Sequence, residues 1–271
     1  MGDFFKKFYS LLFFFLIGIS NLYATNDTLL VDTKFAVPDG IGNLFVITEN
    51  NTLLKIDSNL KILISQSLID YGIASSIECR GAIDVVVYCF NTGQLLVFDN
   101  FLKEKQRYDL PRFLKPKPNF ICISKIGWWG YDETTTEMCQ YRTNFQKIST
   151  LPLVIKPEKE ILKIAEIEFP YPNILYADST LSITYLEYYL KDKNQKSSYK
   201  FGSIPILSFG NNELYSHSGD TLTCLNFHSD SENKTTIKKL PFAPPHSRIA
   251  KSFHTYFFIL PQMIVSYRDM D

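Results

Sequence analysis

Pairs of short apolar runs, each pair split by a polar turn, recur along this chain at a nearly constant interval. The first pair is residues 43–47 and 53–57 around Glu49-Asn50-Asn51, and the second is 85–89 and 95–99 around Asn91-Thr92-Gly93. The later pairs are 127–132 with 138–142, 173–176 with 181–184, 213–215 with 222–226, and 256–260 with 263–268. The second member of each pair ends at residue 57, 99, 142, 184, 226 or 268, giving steps of 42, 43, 42, 42 and 42. Runs of this length, rich in β-branched and aromatic residues and bounded by Asn, Asp and Gly, are strands joined by tight turns.

A unit of about 40–45 residues holding several strands has the period of a propeller blade. Each unit has room for two more strands. Residues 75–79 and 120–124 read as inner strands, and their Cys79 and Cys122 lie 43 apart; residues 61–64 and 145–148 read as outer ones. A single amphipathic sheet cannot bury both faces, whereas sheets stacked around an axis bury one another's. The expected fold is all-β: a single β-propeller of about six four-stranded blades over residues 25–271, or five or seven if the fourth and least regular unit counts differently. The final marker falls three residues before the last, so the last blade lacks an outer strand, which Thr28-Leu29-Leu30-Val31-Asp32 would supply. Residues 158–167 and 182–192 have some helical character. Pro157, Pro170 and Pro172 around the first, and the Tyr, Thr and Ile content of the second, favour strands.

The stretch before the repeat has the order of a secretory signal. Lys6 and Lys7 precede an apolar core, residues 11–19, and a small residue, Ala24, offers a cleavage point. The apolar core is about half of the roughly 20 residues a spanning helix needs. No Cys stands near the cleavage point and no Arg-Arg pair precedes the core, so a Sec-type signal over residues 1–24 and a periplasmic or secreted location are expected. Its removal leaves 26 basic and 27 acidic residues, a net charge near −1. That balance creates no long-range field for nucleic acid or an anionic membrane, so neither is expected as a partner. The five cysteines, Cys79, Cys89, Cys122, Cys139 and Cys224, form no C-x-x-C and sit in strand-like runs. They read as buried thiols, with a disulfide as the alternative.

Catalytic and metal motifs are missing: there is no G-x-S-x-G, H-E-x-x-H, phosphate loop or dinucleotide fingerprint. The four histidines, His217, His228, His246 and His254, have no paired spacing, and Gly40-Ile41-Gly42 is a loop rather than a phosphate cradle. Three sequons, at Asn26, Asn50 and Asn233, read as chance in a chain of bacterial character. No catalytic residue, cofactor or metal is therefore expected. Glu78, Arg80, Asp84 and Glu168 are the charges nearest the inner strands, an incomplete set for an axial metal. Two features could contact a partner or ligand. Arg112, Lys115 and Lys117 lie in a basic, proline-stiffened connector that would suit an acidic partner. Trp128 and Trp129 point to opposite faces of a strand, one inward and the other free to stack on a ring at the rim. Tyr185, Glu187, Tyr188 and Tyr189 form a similar polar-aromatic cluster.

The hairpin Gly42-Asn43-Leu44-Phe45-Val46-Ile47 with Leu54-Lys55-Ile56-Asp57 resembles the repeat of WD40-like and NHL-like propellers. Ile69-Asp70-Tyr71-Gly72, the run from Leu95 to Leu102, and Trp129-Gly130-Tyr131-Asp132 resemble a family of bacterial envelope propellers of unassigned activity. The likeness covers the first half of the chain by residues and the rest through the period. It implies a propeller fold and an exported location and carries over no catalytic residue. It implies a protein-binding or scaffold role in the bacterial envelope, with another envelope protein as partner. The alternatives are a carbohydrate- or small-ligand-binding propeller, and a lactonase-like or glycan-processing enzyme with an axial site. Enzymatic activity is the less favoured reading.

Overall fold

In a computed structural model, the described residues are 27–152, the strands between 159 and 239 together with Leu240, and 247–268; from 159 to 214 the description is of backbone alone. The expected signal, residues 1–24, lies outside them. Strand β1 (Asp27–Leu30) comes first, followed by a sheet of β2 (Thr33–Pro38), β3 (Leu44–Thr48), β4 (Thr52–Ile56) and β5 (Ile62–Ser67). The second sheet is β6 (Ser76–Arg80), β7 (Asp84–Cys89), β8 (Gln94–Asp99) and β9 (Glu104–Asp109). The third is β10 (Phe120–Ser124), β11 (Gly127–Asp132), β12 (Glu137–Arg142) and β13 (Lys147–Pro152). The fourth is β14 (Lys159–Glu168), β15 (Tyr171–Asp178), β16 (Thr184–Tyr189) and β17 (Lys196–Phe201). The fifth is β18 (Ser208–Gly210), β19 (Glu213–Ser218), β20 (Thr221–Asn226) and β21 (Lys234–Lys239). The last sheet holds β22 (Arg248–Ser252), β23 (Thr255–Ile259) and β24 (Met263–Arg268), with β1 added outside β24. All are antiparallel, and neighbouring sheets meet through their first strands: β2 touches β6 and β22, β10 touches β6 and β14, and β18 touches β22.

The continuous apolar runs are continuous because both faces of each sheet are covered. In β3, Leu44 and Val46 pack with Ala250, Phe257 and Ile264 of the last sheet, while Phe45 and Ile47 pack with Val85, Val87 and Leu96 of the second. In β7 the alternation is the same: Val85, Val87 and Cys89 face the first sheet, and Val86 and Tyr88 face Ile121 and Trp128 of the third. The five cysteines are free thiols. Burial pushes the Cys89 thiol up to about 11, so it carries no charge at neutral pH.

The 42-residue period has a physical origin in two recurring backbone positions. Leu60, Leu102 and Phe145 adopt left-handed φ of 57° to 63° in the turn between third and fourth strands, and each is buried. The residue three before each accepts its amide: Leu60 N donates to Asp57 O (3.0 Å), Leu102 N to Asp99 O (3.0 Å) and Phe145 N to Arg142 O (2.9 Å). The Asp57 and Asp99 carboxylates take two further turn amides each, at 2.8 to 2.9 Å. Asn51, Gly93 and Thr136 are the matching left-handed positions of the second-to-third-strand turns. Leu68 N donates to Asn51 O and Leu110 N to Gly93 O, both at 2.9 Å, so each turn also pins the connector to the next sheet.

The fourth unit departs from the sequence reading. Its third strand ends at Tyr189 rather than at residue 184, so the steps on either side are 47 and 37 instead of 42. Of the run 181–184 only Thr184 lies among the described residues, as the first residue of β16, and β14 and β15, at ten and eight residues, are longer than their counterparts. Within the regions 158–167 and 182–192, the described residues 159–167 and 184–189 are strand, as proline and β-propensity indicate.

Thr136 is a β-branched residue held at φ 53° on the surface, where asparagine occupies the equivalent place in the first sheet. Thr136→Asn should raise stability by about 0.5–1 kcal/mol, read as a higher urea midpoint at unchanged slope. Deleting Asp27–Leu30 removes a ladder that pairs Asp27 with Ser266 and Leu30 with Met263, and uncovers the edge of β24. The truncated chain should lose about 2–4 kcal/mol and self-associate at concentrations where the full chain does not, by urea titration and light scattering.

Candidate interaction face

Antiparallel pairing places the turns between first and second strands, and between third and fourth, at one end of every sheet. At this end the structure repeats an unexpected feature. Ile41, Ile83, Ile126 and Phe253, at the tips of the first-to-second-strand turns of four sheets, are 58%, 67%, 40% and 66% exposed. Residues 41, 83 and 126 keep the 42–43-residue spacing of the fold. Phe101, 73% exposed, lies in the neighbouring β8–β9 turn. Ile69 and Ile73 are exposed at the opposite end, but both belong to one connector.

The tips are held by buried polar groups. Asp39 is 2% exposed. Its Oδ1 accepts from Ile41 N and Asn43 N (both 2.9 Å) and from Ser252 Oγ (3.0 Å), and its Oδ2 from Asn43 Nδ2 (2.6 Å). Ser252 Oγ in turn accepts from Gly42 N at 2.7 Å, tying the Ile41 turn to the Phe253 turn. In the third sheet the turn closes on Gly127, φ 157°, where a Cβ would stand 2.2 Å from the Tyr141 carbonyl oxygen. The charges on this end are unevenly committed. Asp39, Asp57 and Asp99 accept from turn N–H groups and Asp84 pairs with Lys105, while Lys61, Arg80, Lys103 and Arg142 are exposed. Lysine and arginine side chains therefore reach solvent around the apolar crown.

Beside the crown, the seam between the second and third sheets opens into a cleft of about 480 Å³. Val86, Val97, Tyr108, Trp128 and Phe145 form its apolar side, and Arg80, Asp84, Lys105, Gln106 and Asn144 its polar one. Phe113, Phe145 and Trp128 stack in sequence, with centroids 5.4 and 6.0 Å apart, and the Arg80 guanidinium lies 5.9 Å from the Trp128 ring. Arg80 Nη2 donates to Ser124 O across the seam at 3.2 Å. The Tyr108 hydroxyl is held above its ordinary pKa by burial. The Trp128 indole N–H is buried with no acceptor. A sealed, unpaired donor costs about 1–3 kcal/mol.

The residues singled out from sequence do not form one site. Trp128 and Trp129 do point to opposite faces of β11, but both are buried, 4% and 1% exposed. No indole is left free at the rim, because both faces of the sheet are covered; Trp128 instead walls the cleft. Arg112, Lys115 and Lys117 sit in the connector between β9 and β10. Arg112 pairs with Asp109 at 2.7 Å. Lys115 is exposed. Lys117 braces the next turn, with Nζ donating to Phe90 O (2.6 Å) and Asn91 O (3.2 Å). Glu78 Oε2 accepts from Ile123 N at 2.7 Å, a link between sheets. The side chains of Glu168, Tyr185, Glu187, Tyr188, Tyr189, His217, His228 and His246 lie outside the described ones; His254 is exposed against Phe253. Among the described residues no three His, Cys, Asp or Glu gather as a metal site, and no helix is long and apolar enough to cross a membrane. The crown's signal in the sequence is an isoleucine inside the first turn of each of the first three sheets.

Asp39 accepts four hydrogen bonds within a buried turn. Asp39→Ala strands those donors and should lower stability by about 2–4 kcal/mol in denaturant unfolding.

No known family profile matches the chain, and no curated protein is similar to it in sequence. Solved structures are similar in fold. The β-propeller domain of Myceliophteria thermophila Cps50 (Swd1) superposes with a TM-score of 0.53 at 10% identity, covering 91% of this chain and 99% of that one. A streptogramin B lyase gives 0.50 at 11% identity, covering 92% and 88%. Such identities speak to fold alone, and together with the repeated four-stranded antiparallel sheets they make this chain a β-propeller.

Proposed function

We propose that this chain is an exported propeller that works as a protein-binding or scaffold module in the bacterial envelope, docking its partner on the apolar crown. The observation that carries the reading is the recurrence of Ile41, Ile83, Ile126 and Phe253 as exposed tips on one end of the ring. None of the four belongs to a buried core cluster, and an apolar patch rimmed by polar groups is the usual mark of a docking surface. The exposed Lys61, Arg80, Lys103 and Arg142 at the same end favour a partner surface that mixes apolar anchors with Asp and Glu. Export is supported by the Lys6-Lys7 and apolar leader of the sequence.

The test compares the mature chain with an Ile83→Ser/Ile126→Ser/Phe253→Ser variant in capture from envelope extract, in calcium and in chelator. Exposed substitutions of this kind change stability by about 0.5 kcal/mol or less each, so the variant stays folded. The expected result is a partner retained by the parent in both buffers, held at least tenfold less by the crown variant, and held normally by Arg112→Glu/Lys115→Glu. Equal retention by parent and crown variant would overturn the assignment of the face.

A further inference from the structure

We propose that the cleft between the second and third sheets is a binding site for a planar aromatic carboxylate. This inference is independent of the docking role of the crown. The cleft is large enough for one ring with a short acidic arm, at about 480 Å³. Its inner side is aromatic and already ordered as a stack: Phe113, half exposed, covers Phe145, which covers Trp128. A further ring meets a surface that prefers offset or edge-on aromatic contact over aliphatic contact.

The polar side selects the charge. Arg80 is exposed and spends one amino group on Ser124 O, which orients the guanidinium at the Trp128 end of the cleft. Asp84 on the same side is held by Lys105, so it does not cancel Arg80. A carboxylate therefore meets a fixed guanidinium with N–H donors left to give, the pairing in which arginine is strongest. Trp128 lines the same end of the cleft, so its ring reports on what binds there.

The probes are phenylacetate, phenylacetamide and cyclohexylacetate, titrated into the isotope-labelled mature chain while the two indole N–H signals are followed by NMR. Phenylacetate should move the Trp128 signal saturably with a dissociation constant in the millimolar range, as expected for so small a ligand. The neutral amide and the non-aromatic acid should each bind at least fivefold more weakly. Arg80→Gln and the exposed-side-chain variant Phe113→Ala should each weaken phenylacetate tenfold or more, with the spectrum otherwise folded. A peptide ending in phenylalanine, compared with its C-terminal amide, separates the two sources of this chemistry: tighter binding of the free-acid peptide than of phenylacetate points to a chain terminus, and the reverse to a free small molecule. The crown variant Ile83→Ser/Ile126→Ser/Phe253→Ser should bind phenylacetate as the parent does, which keeps a failed docking experiment distinct from a failed cleft. An unmoved Trp128 signal, or equal affinities for the acid and the amide, would overturn the proposal.

Discussion

A ring of sheets is stable only if its first and last members bury each other, because an open ring leaves two apolar sheet faces in water. Here that seam joins residues more than 200 apart in sequence. Leu44, Val46, Leu54, Ile56 and Leu60 of the first sheet pack on Ala250, Phe257, Ile259 and Ile264 of the last. At about 1.5–3 kcal/mol for each large side chain, this cluster contributes on the order of 10–20 kcal/mol before conformational entropy is set against it. The polar links across the same seam are Arg248 Nη1 to Lys34 O (3.2 Å), Ser252 Oγ to Asp39 Oδ1 (3.0 Å), and Arg268 Nη2 to Ser58 Oγ (2.8 Å) and Asn59 Oδ1 (3.0 Å). Each is worth about 1 kcal/mol net, so apolar burial closes the ring and the hydrogen bonds fix how its ends are aligned.

The same division of labour runs around the described seams. Lys34 Nζ reaches Ala74 O at 2.9 Å and Arg80 Nη2 reaches Ser124 O at 3.2 Å, so a cation on one inner strand holds a carbonyl of the next sheet. Lys55, 6% exposed, places its Nζ against Asn100 Oδ1 (2.6 Å) and O (3.1 Å). A buried lysine tolerates this position because two oxygens replace its water. The sheets pack by shape and area, and these cations set the rotation of one sheet against the next.

Much of this was legible in the residues, and the reason is the regularity of the turns. The period was readable because Asp57, Asp99 and Arg142 each open the same kind of turn, closed by a buried residue in left-handed conformation. The closing strand was readable because β24 ends near the last residue and an apolar run stands unassigned before β2. The reading slips at the fourth unit, whose first two strands are longer than their counterparts and whose third ends at Tyr189, five residues past the marker. The site was much less legible. One of Trp128 and Trp129 is expected free at the rim, and both are buried instead, since adjacent tryptophans on a strand covered on both faces both end up inside. Lys117 looked like a docking charge and is a brace, because a lysine stem beside Phe90 finds two carbonyl oxygens within reach.

The crown follows from a freedom that the rest of the repeat does not have. Within each unit, strand residues are constrained by two neighbouring sheets and turn-opening residues by the amides they accept. The tip of the first turn is constrained by neither. Asp39 and Ser252 hold the backbone of the Ile41 turn without touching the Ile41 side chain, and Gly127 sets the Ile126 turn in the same way. The fold would be served by any polar residue at these tips, and water would favour one. Four large apolar side chains stand there instead, each well exposed to solvent. Stability does not explain them, and recurrence at the blade period places them around one axis, where a single partner surface could cover them together.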